Sequence, residues 1–248
     1  MKQFTLTPSM GKRLIARGIV ADPRVIAAAE RATLAIVAGT TNGYVAEEML
    51  RHLAQGEGFT REGFRRGIVT PPRQAPAQAK FPGDVIISAG KWQRGKTIFD
   101  VVDDLQPGDV ILKGANALDL AAGRAAVQIL DPNGGTIAAA LRAAIGRRVS
   151  LIVPVGLEKR VAEDLDALAA AVNAPDATGP RLWPITGEVF TELDALAALT
   201  GATAHLVAAG GVCGAEGAVC LAAVGSPEQL AAAEELIESL AAEPPCVA

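Results

Sequence analysis

Short apolar runs alternate along the chain with segments of helical periodicity, and glycine turns join them. Residues 9–31 carry Leu14, Ile15, Ile19 and Val20 at helical spacing, with Ser9 as the expected N-cap. Pro23 restarts that helix, so Val25 to Arg31 forms a second piece. Thr33 to Val37 is an apolar, β-branched run that predicts a strand. It ends in the turn Ala38-Gly39-Thr40-Thr41-Asn42-Gly43, and Tyr44 to Leu53 is helical in composition. The pattern then recurs. Gly67 to Thr70 and Asp84 to Ser88 predict short strands, Thr97 to Leu105 a helix, and Asp109 to Lys113 a buried strand closed by Gly114-Ala115-Asn116. Ala117 to Leu130 reads as partly helical. Asp131 to Thr136 is a turn that opens a helix through Ile145. Val149 to Val155 is the next strand, followed by Gly156 and a helix from Glu158 to Val172.

Strand, turn and helix in repeated succession predict an α/β fold over residues 1–172: a mainly parallel sheet with helices on both faces. Asn173 to Pro184 is rich in Pro, Gly, Asp and Asn and reads as a linker. Beyond it the order is strand (Trp183 to Val189), helix (Thr191 to Leu199), two strands (Ala202 to Ala208, Ala218 to Val224) and helix (Ser226 to Ala242). That β-α-β-β-α order suits a small ferredoxin-like α+β domain over residues 173–248, its last strand reduced to Cys246-Val247. Gly210 to Gly217 would be the hairpin loop.

Composition narrows this picture. Half of the 248 residues are apolar, much of that alanine, and aromatics are only 4%; such a core relies on close approach of helices and sheet. The net charge of −4 gives no general attraction to nucleic acid or anionic lipid. Mean hydropathy is +0.29, yet the longest weakly charged stretch, Ala202 to Val224, is broken by His205, Glu216 and the glycines at 210, 211, 214 and 217. It does not read as a membrane span. The amino terminus shows no apolar export segment, which predicts a cytoplasmic location. Cys213, Cys220 and Cys246 form no C-x-x-C pair, and His52 and His205 stand apart, so neither a metal site nor a cofactor is predicted.

The candidate chemistry lies in the turns. In a parallel sheet, ligands bind outside the carboxyl ends of the strands. Gly39, Thr40, Thr41, Asn42 and Gly43 would present backbone N–H groups and two hydroxyls at a helix amino terminus, a site for phosphate or carboxylate. Asn133, Gly134, Gly135 and Thr136 offer the same geometry, and Gly114 closes a third turn. Beside it, Lys113 could neutralise an anion, with Asn116 and Asp119 adjacent. Glu158 follows the last strand and could transfer protons if its pKa were raised. Each feature also has an ordinary structural reading: a helix cap, a solvated lysine, an exposed charge pair.

At these turns the chain resembles the superfamily that includes ribose-5-phosphate isomerase and glucosamine-6-phosphate deaminase. Residues 38–43 look like its first phosphate-binding loop, Gly114-Ala115-Asn116-Ala117-Leu118-Asp119 like its G-A-D-E-h-D turn, and Asn133 to Thr136 like its glycine loop. The resemblance covers about residues 10–165 and implies a phosphate-holding framework. The isomerase's catalytic set is not matched. Asn116 stands where it has an aspartate, Asp131-Pro132 where it has a lysine, and Leu141 near its glutamate, with no acid between Gly134 and Ser150. Function therefore divides three ways. One is an isomerase- or transferase-type enzyme acting on a small anionic metabolite. The others are a ligand-sensing protein without turnover and a structural protein. A homo-oligomer is expected, and no nucleic-acid or membrane partner.

Overall fold

The computed structural model describes residues 1–66, 69 and 81–245. The expected strand Gly67 to Thr70, apart from Val69, and the tail Cys246-Val247 lie outside the described residues. Strand β1 (Lys2–Leu6) leads into α1 (Pro8–Ala21) and α2 (Pro23–Arg31). Thr7 rather than Ser9 caps α1, accepting from the Met10 N–H at 3.3 Å; Pro8 opens the first turn, where its missing N–H costs nothing. Asp22 caps α2 through the Arg24 N–H at 2.8 Å, so Pro23 does restart the helix.

There follow β2 (Thr33–Ile36), α3 (Thr40–His52), β3 (Val85–Ser88) and β4 (Lys91–Trp92). Where a helix was expected over Thr97 to Leu105, only a single 3-10 turn, Ile98–Asp100, forms. β5 (Val110–Leu112) precedes a second difference: Ala117 to Leu130 is a hairpin, β6 (Ala117–Asp119) and β7 (Arg124–Ile129). Alanine favours helix intrinsically, but pairing with neighbouring strands overrides that weak preference. Next come α4 (Gly135–Arg147), β8 (Ser150–Pro154), a 3-10 turn (Leu157–Lys159) and α5 (Leu165–Val172), which starts later than expected because Asp164 caps it. The chain ends with β9 (Arg181–Ile185), β10 (Glu188–Phe190), α6 (Glu192–Thr200), β11 (Thr203–Ala209), β12 (Val219–Val224) and α7 (Pro227–Glu238).

Three sheets result. The central one has the order β10-β8-β5-β2-β3-β4, with β2, β5, β8 and β10 parallel and β3 and β4 antiparallel at one edge. The apolar β2, β5 and β8 are almost wholly buried, as parallel strands covered by other layers must be. Residues 173–248 do not close a sheet of their own. β9 joins β6 and β7, β10 joins the central sheet, and the β11–β12 hairpin is completed by β1 from the other end of the chain. The third strand of that unit is therefore amino-terminal. Among the described residues no helix is long and apolar enough to cross a membrane.

Small residues set the helix spacing. α1 packs on α3 and α6, and a Cβ on Gly18 would lie 2.8 Å from both Cα and Cβ of Ala195. Because one of those atoms is backbone, the helices would have to separate. Gly18→Ala should therefore lower stability by about 1–3 kcal/mol despite alanine's better helix propensity, measured by urea unfolding. An unchanged midpoint would show that the α1–α6 contact is loose.

Candidate functional site

The chain leaves β2 for one side of the sheet (β3, β4) and then returns to the other (β5, β8, β10). Beyond the carboxyl ends of β2 and β5, at this switch, lies a cavity of about 400 Å³. Three turns meet there. Gly39 to Asn42 follow β2, Lys113 to Asn116 follow β5, and Gly134 to Thr136 open α4. Strand β7 forms a further wall through Val127, Gln128 and Ile129, and Lys159 enters after β8.

Helices α3 and α4, each of 13 residues, begin at this rim without a side-chain cap and without an acid in the first turn. The first intrahelical bond of α3 runs from the Gly43 N–H to the Gly39 carbonyl at 2.8 Å, so the preceding N–H groups have no partner within the helix. Both amino termini therefore carry partial positive charge. Gly134 turns the chain in the left-handed region (φ +80°), and a Cβ there would meet Trp183 Cζ3 at 2.7 Å, so glycine is required on both counts.

The side chains add positive charge. Lys113 Nζ donates to the Gly114 carbonyl at 3.2 Å and Lys159 Nζ to the Ala115 carbonyl at 2.9 Å. Among the described residues neither forms an ion pair, and residues 67–80 contain no acid. Burial, reinforced by repulsion from Lys159, pushes the Lys113 ammonium down to about 8. Burial also lowers Lys159, partly offset by attraction to Glu158. Arg66 lines the same cavity, held by the fully buried carboxylate of Asp84 at 3.2 Å. Asp84 also accepts from the Ala38 N–H at 2.9 Å and the Ile98 N–H at 2.8 Å, so it positions the first turn.

Polar groups in the wall lack partners. Thr41 is 2% exposed and Asn42 fully buried, and among the described residues Thr41 Oγ1 and Asn42 Oδ1 make no hydrogen bond; Gln128 Oε1 is in the same position. Asn42 is not idle, since its Nδ2 donates to the Val37 carbonyl at 2.7 Å and the Leu112 carbonyl at 2.9 Å, locking the start of α3 to the ends of β2 and β5. Asn116 Oδ1 accepts from the Gln128 N–H at 3.1 Å.

The turns expected to converge do so, but four of the candidate residues stand outside the lining. Gly43 lies within α3, where an added Cβ would face Arg61 and Phe64. Asp119 accepts from the Ala122 N–H at 2.9 Å and closes the β6–β7 turn. Asn133 is exposed and donates its N–H to Asp131 Oδ1 at 2.8 Å. Glu158 pairs with buried Lys12 at 3.5 Å, next to fully buried Glu192, whose own carboxyl is pushed up to about 8 by burial and by Glu158. A carboxylate engaged there is part of a buried charge cluster and not of the cavity wall. Arg66, Phe99, Gln128 and Asp131 line the cavity without having been singled out. Lys159 had a visible signal, a lysine just beyond a strand end. Gln128 had none once its segment read as helix. Cys213 is exposed in the β11–β12 loop and does not line the cavity.

No known protein family, no curated protein and no solved structure matches this chain.

The lysine environment has a measurable consequence. With its pKa below that of the unfolded chain, folded Lys113 binds fewer protons than unfolded Lys113 between about pH 8 and 10. Its contribution therefore makes the ligand-free protein more stable as pH rises through that window. Lys113→Met should stabilise the free protein by about 1–3 kcal/mol at pH 7 and abolish that rise, both read by denaturant unfolding against pH. A destabilised variant would show that the ammonium is already neutralised.

Proposed function

We propose that this chain binds a small anionic metabolite, phosphorylated or carboxylated, in the cavity at the carboxyl edge of the central sheet. The observation that carries the reading is the meeting of two uncapped helix amino termini with two part-buried lysines that form no ion pair among the described residues. Unpaired N–H groups, helix dipoles and ammonium groups all favour the same thing, a concentrated negative charge. A phosphate or carboxylate placed there would relieve the repulsion between Lys113 and Lys159 and supply an acceptor for Thr41 Oγ1.

The resemblance of the three turns to the sugar-phosphate isomerase superfamily supports an anion-holding framework. It does not support ribose isomerisation. Among the described residues Asp131 is the only carboxylate in the lining, and it already accepts from the Asn133 N–H. An isomerase- or transferase-type reaction would have to draw its acid–base work from Lys113, whose pKa near 8 lets it hold or release a proton close to neutrality. Binding without turnover is the second reading, favoured by that scarcity of carboxylates.

A thermal-shift and calorimetric screen with inorganic phosphate, ribose 5-phosphate and acetyl-CoA tests the proposal. At least one of these anions should raise the unfolding midpoint saturably. For a phosphate monoester, affinity should be greatest between its second ionisation, about pH 6, and about pH 8, where Lys113 loses its charge. Lys113→Gln should weaken binding by about 10- to 100-fold, the loss of one charge-assisted contact. Midpoints unmoved by any anion would remove the reading.

A further inference from the structure

The cavity has a second half that an anion does not need. Phe99 and Leu130 line it while remaining 51% and 58% exposed, and Val127, Ile129 and Ile137 complete an apolar wall. Large apolar side chains left open to solvent around a concave, charged site mark a surface awaiting an apolar contact.

Both are held in place from behind. The turn bearing Phe99 is closed by Asp100, whose carboxylate accepts from the Thr97 N–H and Oγ1 at 2.7 Å each. The preceding Ile98 is fully buried and its N–H is bonded to Asp84, so the backbone carrying Phe99 is anchored. That same Asp84 orients the Ala38 N–H and Arg66, which ties the aromatic ring's turn and the anion-holding turn to one carboxylate. Leu130 sits where its carbonyl accepts from Arg181 Nη2 at 2.5 Å. Apart from Thr41 and Asn42 in the first turn, the buried unpartnered side-chain atom in the lining, among the described residues, is Gln128 Oε1 on the strand beside this apolar half. A polyhydroxylated chain would bring several hydroxyls against it and leave most of them unpaired.

Resting on the reading of the cavity as an anion site, we propose that its ligand joins the anionic group directly to an apolar body, aromatic or aliphatic, and that Phe99 and Leu130 recognise that body. The ligand class is an amphiphilic phosphate or carboxylate with at most one polar substituent facing Gln128.

Calorimetric titration of the full chain at pH 7 with inorganic phosphate, ribose 5-phosphate and phenyl phosphate tests this. Phenyl phosphate should bind about tenfold more tightly than either of the others, through burial of its ring. Phe99→Ser should abolish that advantage; Leu130→Gln, at a second exposed position, serves if the first variant fails to fold. Inorganic phosphate binding with no gain for phenyl phosphate, or ribose 5-phosphate binding as tightly as phenyl phosphate, overturns the apolar body and leaves the anion site standing. If none of the three binds, both fall together.

Discussion

A buried carboxylate must have every lone pair engaged, and Asp84 meets that requirement by drawing three separate segments to one point. It accepts from the Ala38 N–H after β2, the Ile98 N–H ahead of Phe99, and the guanidinium of Arg66. None of these segments is adjacent in sequence to the others. Leaving any of the donors unpaired in the interior would be costly, so their relative positions are set together. The shape of the cavity mouth follows from this one group. Asn42 does comparable work on the other side, where its amide nitrogen bridges carbonyls at the ends of β2 and β5.

Charge is sorted into two neighbouring environments by the same requirement. Behind the cavity, Lys12, Glu158 and Glu192 pack against the close approaches at Gly11 and Gly156, where an added Cβ would collide with Glu192 or Glu158. The carboxylates are accommodated there by Lys12, by the Leu157 N–H and by the raised pKa of Glu192. In the cavity the balance is reversed: Lys113 and Lys159 donate to the Gly114 and Ala115 carbonyls, and Asp84, the carboxylate that acts on Lys113, is committed to Arg66 and backbone. Lys159 lies between the two environments, lowered by burial while attracted by Glu158. Part-buried ammonium groups that form no ion pair among the described residues cost stability, and the proposed anion site rests on that feature.

Much of the site was legible as local pattern. The β-branched runs at Thr33, Asp109 and Val149 mark parallel strands, and the glycine and threonine turns after them announce the rim. Continuous apolar runs are what burial on both faces demands, and Gly134 is what a left-handed turn against Trp183 demands. The misreadings share a cause. Ala117 to Leu130 is alanine-rich and locally suited to helix, yet β7 pairs with β9 from more than fifty residues away. The carboxyl-terminal segment has the element order of a separate unit, but its strands enter three different sheets, one of them shared with β1.

By itself the amino-acid order determined the buried parallel strands and most of the helices, and that several turns rich in N–H groups would lie at strand ends, because periodicity and glycine conformation are local properties. Only the tertiary structure decided that Phe99, Gln128 and Lys159 share a cavity with those turns and that Glu158 and Asp119 do not. Those assignments depend on which strands pair and which buried charges find partners, and both are contacts between residues far apart in the chain.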